Sequence, residues 1–100
     1  MRIRYTRGAT SQLAGISLYI REHNPSAASR VRDRLRQVVA MLAERPALGS
    51  PGRVPGTREF KVPGLPYRIV YRVAVLGSEE CLEILRVQHE AQDKFEADWQ

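Results

Sequence analysis

The spacing of apolar residues changes twice along this chain, and this change constrains the fold more than any other feature. Residues 2–6 alternate between polar and apolar side chains, residues 9–45 repeat with helical spacing, and alternation returns from residue 57. A period of two indicates a strand, and a period of 3.6 indicates an amphipathic helix. The predicted order of elements is therefore β-α-α-β-β-β.

Two helices are predicted over residues 9–22 and 26–45. Asn24 suits the cap of the second helix and Pro25 its first turn, while Pro46 ends it. So short a connection favours an antiparallel helical hairpin. The apolar stripes comprise Ala9, Leu13, Ile16 and Ile20 in the first helix, and Ala28, Val31, Leu35, Val38, Val39 and Leu42 in the second.

Four strands are predicted over residues 2–6, 57–62, 67–75 and 80–88, with a Gly/Pro-rich connection at 47–56. The fold class is α+β, a helical hairpin packed on a four-stranded, mostly antiparallel sheet, in one domain spanning residues 1–100 with an acidic tail at 91–100. Alternation turns Phe60, Val62, Ile69, Tyr71, Val73 and Val75 towards the helices. The opposite sheet face would display Lys61, Arg68 and Arg72.

The basic side chains are concentrated in the body of the chain. Residues 1–78 carry fourteen basic and four acidic side chains, a balance of +10, whereas residues 79–100 carry two and seven, a balance of −5. Such a body favours an anionic partner: nucleic acid, an acidic protein, or both in turn. An arginine-rich solvated surface explains the charge equally well.

Several classes of protein are not expected. Met1 is followed by Arg2 and Ile3 and by no hydrophobic signal segment, and no apolar run is long enough to cross a bilayer. Cys81 is the single cysteine, so we expect a reducing, cytoplasmic location. No cysteine and histidine cluster has metal spacing, and the connection at 47–56 lacks the end of a phosphate-binding loop, so neither metal nor cofactor is predicted.

Four segments together resemble the RelE/ParE toxin superfamily, over nearly the whole chain and in the family's element order. They are Leu-Ala-Glu-Arg-Pro-Ala-Leu-Gly at 42–49, Pro-Gly-Arg-Val-Pro-Gly-Thr-Arg-Glu at 51–59, Tyr-Arg-Ile-Val-Tyr-Arg-Val at 67–73 and Ile-Leu-Arg-Val-Gln-His at 84–89. The resemblance implies a toxin encoded beside an acidic antitoxin of the ParD/RelB type, which wraps and silences it. RelE-like members cut messenger RNA in the ribosomal A site, and ParE-like members inhibit DNA gyrase.

The resemblance also implies a candidate set of catalytic residues, should the chain be a metal-independent endoribonuclease. Arg68 and Lys61 match basic residues of the RelE site, while Glu59 stands where that site has a second lysine. Glu59 and His89 would then be the general base and acid, as in relatives that use Glu, Arg and His. Glu59 could equally form a cross-strand ion pair with Lys61 or Arg68. ParE-like members also end this strand with a histidine, and Gln88, His89 and Glu90 occupy the stretch where RelE-like members carry a catalytic arginine.

Two binding surfaces complete the expectations. Antitoxin contacts are assigned to Leu13, Ile16, Leu18, Tyr19, Arg30 and Arg34, and target contacts to Arg58, Arg72, Arg86, Phe95 and Trp99. The helix arginines could instead be a solvated face, and the two tail aromatics could dock back on the core. The incomplete cation set favours a ParE-like inhibitor of gyrase that is not an enzyme. A ribosome-dependent ribonuclease is the alternative, and a basic helper domain without toxicity is a third reading.

Overall fold

The computed structural model describes residues 1–90, in which two helices cover one face of a mixed sheet. The helices are α1 (Arg7–His23) and α2 (Pro25–Glu44), followed by a 3-10 turn at Pro46–Leu48. The strands are β1 (Arg2–Tyr5), β2 (Ser50–Pro51), β3 (Arg58–Lys61), β4 (Tyr67–Leu76) and β5 (Glu79–His89). In this part of the chain, neither helix has the length and apolar character to span a membrane.

The sheet has five strands in the order β1-β5-β4-β3-β2, which confirms the α+β class and adds one strand to the expected four. β1 runs parallel to β5, and the other neighbours are antiparallel. The additional strand is β2, whose Ser50 and Pro51 lie opposite Glu59 and Arg58. A two-residue strand containing proline has no alternation to detect, so its segment has the sequence character of a loop.

The helical hairpin is set by two side-chain caps. The Asn24 side-chain oxygen accepts a hydrogen bond from the Ala27 N–H at 3.3 Å, and Pro25 occupies the first turn of α2, as the sequence predicts. The Thr6 hydroxyl oxygen accepts from the Ala9 N–H at 3.1 Å and so caps α1. These caps satisfy backbone donors that a helix start leaves unpaired.

The core lies between the helices and one face of the sheet, here called the helix-side face. α2 contributes more to it than α1, because Ala9 is the one fully buried residue of α1 while Leu13 and Ile16 are half-buried. The central members are Leu35, Val38, Val39, Leu42, Val62, Ile69, Tyr71, Leu82, Ile84 and Val87. This confirms Val62, Ile69 and Tyr71 as inward-facing residues.

Val73 and Val75 lie on the predicted face of the sheet but are not part of the core. Val73 is 41% exposed and Val75 65% exposed. Their place in the alternation is as predicted, since Val73 pairs with the buried Leu82. The β4–β5 hairpin extends beyond the area that the helices cover, so alternation here fixes the face of a side chain but not its burial.

A β-bulge at Leu85 reverses the alternation of β5. Val70 pairs with Arg86 and Tyr71 pairs with Ile84, so the register passes over Leu85. Thr6, which follows β1, contacts the bulge: its hydroxyl donates to the Leu85 carbonyl at 3.0 Å and its N–H donates to the Ile84 carbonyl at 3.0 Å. The reversal decides which side chains share each face beyond the bulge.

Candidate functional site

The sheet face opposite the helices, here called the far face, carries most of the polar residues that the sequence singled out. Directly paired residues of antiparallel strands lie on the same face. Lys61 pairs with Arg68 across β3 and β4, and Arg68 pairs with Gln88 across β4 and β5. The far face between β3 and β5 therefore comprises Glu59, Lys61, Arg68, Val70, Arg86 and Gln88.

Glu59 is held by two arginines. Arg68 Nη1 lies 3.3 Å from Glu59 Oε1, and Arg53 approaches Oε2 with its backbone N–H at 3.0 Å and its Nε at 3.8 Å. The Glu59 side chain is 13% exposed, so this ion pair is largely withdrawn from solvent. The cross-strand pair expected as the alternative to a general base is thus present with Arg68, and the carboxylate is already engaged.

The other expected cations of the far face also have carboxylate partners. Lys61 Nζ lies 2.9 Å from Glu90 Oε1. Arg72 Nε lies 2.7 Å from Glu83 Oε1, and Arg4 approaches the other oxygen of this buried carboxylate at 3.8 Å. The face is cationic in composition, as predicted, but ion pairs neutralise much of its charge.

His89 does not join Glu59, Lys61 and Arg68. It pairs with Tyr67, and its ring lies edge-on to the Tyr67 ring with centroids 5.5 Å apart, on the helix-side face. The Leu85 bulge reverses the alternation of β5, so His89 lies on the opposite face of the sheet from Glu59, Lys61 and Arg68. Gln88, fully buried, takes the place opposite Arg68.

The predicted target-binding residues are divided as well. Arg58 pairs with Tyr71 on the helix-side face, whereas Arg72 and Arg86 belong to the far face. Arg58 Nη1 donates to the Gly49 carbonyl at 2.7 Å and so fixes a loop. Phe95 and Trp99 lie outside the described residues.

Sequence reasoning missed the structural role of Tyr71. Its hydroxyl donates to the Pro46 carbonyl at 2.6 Å and accepts from the Gly49 N–H at 2.8 Å. Burial raises the pKa of Tyr71 above its ordinary value, against smaller opposing effects of the Gly49 N–H and Arg58. A hydroxyl at an inward-facing strand position requires a partner, and this is the signal that could have pointed to the contact.

The predicted antitoxin-binding residues occupy different surfaces of the helical layer. Leu13 and Ile16 are half-buried against the core, whereas Leu18 is 53% and Tyr19 63% exposed. Arg30 and Arg34 are exposed on α2, and Arg34 Nη2 donates to the Pro63 carbonyl at 3.3 Å. Within residues 1–90, no group of three His, Cys, Asp or Glu side chains is arranged to hold a metal ion.

Comparison with known proteins gives a consistent result. The family model described as "ParE toxin of type II toxin-antitoxin system, parDE" matches residues 3–94. The Sinorhizobium fredii protein named "Putative toxin Y4kP" is 43% identical over 88 residues, which cover 88% of this chain and 86% of that protein.

Solved structures agree with the sequence matches. The "Chromosomal ParDE TA system from P. aeruginosa" is similar with a TM-score of 0.76 and 25% identity, covering 89% of this chain and 95% of that one. The toxin–antitoxin complex RelBE2 from Mycobacterium tuberculosis is similar with a TM-score of 0.60 and 25% identity, covering 88% of this chain and 95% of that one. The "YoeB/ParE toxin from Agrobacterium tumefaciens" has a TM-score of 0.62 and 18% identity, covering 89% of this chain and 98% of that one. This similarity is one of fold alone. This chain is a toxin of the RelE/ParE superfamily and belongs to the family of ParE toxins of type II toxin–antitoxin systems.

Proposed function

We propose that this chain is a ParE-like toxin that inhibits DNA gyrase by binding, does not cut RNA, and is neutralised by a cognate acidic antitoxin. The observation that carries the proposal is the composition of the far face. Cleavage of RNA through its 2′-hydroxyl needs a base, a cation at the phosphate and an acid at the leaving oxygen. Among residues 1–90, the candidates for these three functions do not meet on one surface.

Each candidate for those functions is otherwise engaged or displaced. The Glu59 carboxylate accepts from Arg68 and Arg53, and the Lys61 ammonium is paired with Glu90. Gln88, which has no charge, stands opposite Arg68 in the stretch where RelE-like enzymes carry an arginine. Membership of the ParE toxin family supports the same reading.

The helical layer supports the antitoxin part of the proposal. Leu18 and Tyr19 give α1 an exposed apolar surface, which suits the apolar face of a partner helix. Carboxylates of residues 1–90 form no ion pairs with the exposed arginines at 30, 32 and 36 of α2. Within the described part of the chain these three cations have no carboxylate partner, which suits an acidic antitoxin. The P. aeruginosa and M. tuberculosis structures that this chain resembles are themselves described as toxin–antitoxin assemblies.

The proposal is tested by expressing the wild type, Arg68→Ala and His89→Ala in a bacterial host, with and without the neighbouring antitoxin frame. Arg2→Ala is the control for Arg68→Ala, because it removes the same charge from the same face of the sheet at an exposed position assigned to no site. Growth, plasmid supercoiling and messenger RNA integrity are recorded together.

We expect all three variants to stop growth, supercoiling to fail and transcripts to stay intact, with growth restored by the antitoxin. The alternative is a ribosome-dependent ribonuclease, favoured by the proximity of Glu59, Lys61 and Arg68. Loss of a catalytic cation reduces turnover by roughly 10²-fold or more. If the wild type cuts transcripts, Arg68→Ala is harmless and Arg2→Ala stays toxic, the chain is the ribonuclease instead.

A further inference from the structure

A cavity of about 390 Å³ lies between the two helices and the sheet, and we call it the interlayer cavity. Its floor is formed by buried aliphatic residues of α2 and the sheet: Leu35, Val39, Ile69 and Val87. Aliphatic residues of α1, namely Leu13, Ile16 and Ile20, line another side. The cavity exists because α1 is only partly seated on the sheet, with Ala9 as its one fully buried residue.

The mouth of the interlayer cavity is polar and positively charged. Tyr5, Arg32 and Arg36 line it and are exposed, in contrast to the buried floor. Carboxylates within residues 1–90 form no ion pair with either arginine, whereas Lys61, Arg68 and Arg72 on the far face each have a carboxylate partner. Arg32 and Arg36 are four residues apart and so lie on the same side of α2.

We propose that the interlayer cavity binds a medium-chain alkyl carboxylate, with the chain among the aliphatic floor residues and the carboxylate between Arg32 and Arg36. The volume lies at the lower end of the range for small-molecule sites, which are typically apolar with a few polar groups that fix orientation. Guanidinium groups form strong forked hydrogen bonds with a carboxylate. The apolar floor selects the chain and the charged mouth selects the anionic head. This binding goes beyond the proposed function and requires neither gyrase nor antitoxin.

Calorimetric titration of the purified full chain with sodium dodecanoate, kept below its micelle concentration, tests the proposal. Arg32→Gln and Arg36→Gln each remove one charge from the mouth. Arg30→Gln and Arg34→Gln are matched controls, because they remove the same charge from the same helix but do not line the cavity. Residues two positions apart lie about 200° apart around a helix. Dodecan-1-ol and acetate serve as ligands that lack the charge or the chain.

We expect saturable binding of dodecanoate at one site, weakened about tenfold or more by each mouth substitution and less than about twofold by each control. Dodecan-1-ol and acetate should bind at least about tenfold more weakly. Absence of binding, equal losses in the mouth and control variants, or equally tight binding of the alcohol would overturn the proposal. Equal losses in the mouth and control variants would indicate general charge attraction, and equally tight binding of the alcohol would indicate simple apolar partitioning.

A second substitution tests the position of the chain without altering charge. Ala14 lines the cavity from α1 and is exposed, so Ala14→Leu fills space while keeping a good helix former. Circular dichroism verifies that the variant is folded. Dodecanoate affinity should fall about tenfold or more, and unchanged affinity would place the ligand elsewhere. The cavity could instead bind side chains of a partner helix. In that case Ala14→Leu will weaken antitoxin binding and the wild type will not bind dodecanoate, and the proposal fails. Toxicity, measured separately, keeps this failure distinct from failure of the proposed function.

Discussion

The His89 and Tyr67 rings are perpendicular, with centroids 5.5 Å apart, on the same side of the sheet as the helices. This contact separates His89 from Glu59, Lys61 and Arg68, which face the other way. Its cause is the bulge at Leu85, because one additional residue in β5 exchanges the two faces for every residue that follows. Strict alternation would place all four residues on one face, and the single bulge moves His89 to the other face.

The first prediction concerns the residue that contacts the bulge. Thr6→Val keeps the shape of the side chain but removes the bonds to the Ala9 N–H and the Leu85 carbonyl. Loss of a helix cap at a buried N–H should lower the free energy of unfolding by about 1–3 kcal/mol. Urea denaturation measures the change. Thr10→Val is the control, because Thr10 is exposed and its side chain forms none of these bonds, and an equal loss in both variants would contradict the account.

The second prediction concerns the close approach of Gly49 to Tyr71. A Cβ atom at Gly49 would lie within 2.4 Å of the Tyr71 hydroxyl and 3.0 Å of the Glu59 carbonyl oxygen. Gly49→Ala should therefore destabilise the fold by about 1–3 kcal/mol through overpacking.

Gly15→Ala is the matched control, because a Cβ there meets nothing within 4 Å and the position is inside α1. It should stabilise the protein by about 0.5–1 kcal/mol, since alanine favours the helix. Thermal denaturation of the two variants should shift in opposite directions. A shared direction would mean that Gly49 does not approach Tyr71 as described.

The third prediction concerns alkaline pH. Burial raises the pKa of Tyr71 above 10.0, so the folded state favours the protonated phenol. That contribution to stability is complete below the unfolded pKa and is lost as pH rises through the folded pKa. Burial also raises the pKa values of Tyr5 and Tyr67, so the wild type should lose stability over the same range.

Tyr71→Phe isolates the contribution of one phenol. The variant loses the bonds to Pro46 and Gly49 and should be about 1–3 kcal/mol less stable near neutral pH. The gap between wild type and variant should narrow from about pH 9 to about pH 11, because only the wild type must ionise or expose this group. Urea denaturation at several pH values measures it, and a gap that stays constant or widens would refute the assignment.

The fourth prediction concerns Glu59. Glu59→Gln should lower the free energy of unfolding by about 0.5–2 kcal/mol, because its carboxylate is the partner of two arginines and is mostly buried. Glu80→Gln, at an exposed position near the start of β5, should change stability by less than about 0.5 kcal/mol. Toxicity should persist in both variants. Loss of toxicity in Glu59→Gln with unchanged stability would indicate a catalytic carboxylate.

Most of the architecture was predictable from local patterns. The stripes at 3.6-residue spacing, Asn24 with Pro25, and Pro46 define the helical hairpin, and alternation defines four strands. Strand β2 was not predictable, because Ser50 and Pro51 become a strand only through pairing with β3. The exposure of Val73 and Val75 depends on where the helices end in space, which periodicity does not record.

The candidate site was less predictable because it depends on one residue of register. The bulge leaves a mark in the spacing of the inward-facing apolar residues of β5. Leu82 and Ile84 are two residues apart, whereas Ile84 and Val87 are three apart. Consecutive apolar residues at 84 and 85 also fit a central strand that is buried on both faces, so this mark is ambiguous without a structure. Ion pairing at Glu59 was foreseen as an alternative, whereas pairing of Lys61 with Glu90 was not.

The most direct test of the central claim is a supercoiling assay with purified toxin, relaxed plasmid, ATP and DNA gyrase. We predict that the wild type and Arg68→Ala both block supercoiling, and that added antitoxin restores it. Normal supercoiling in the presence of folded toxin, together with cleavage of messenger RNA on purified ribosomes, would contradict the account.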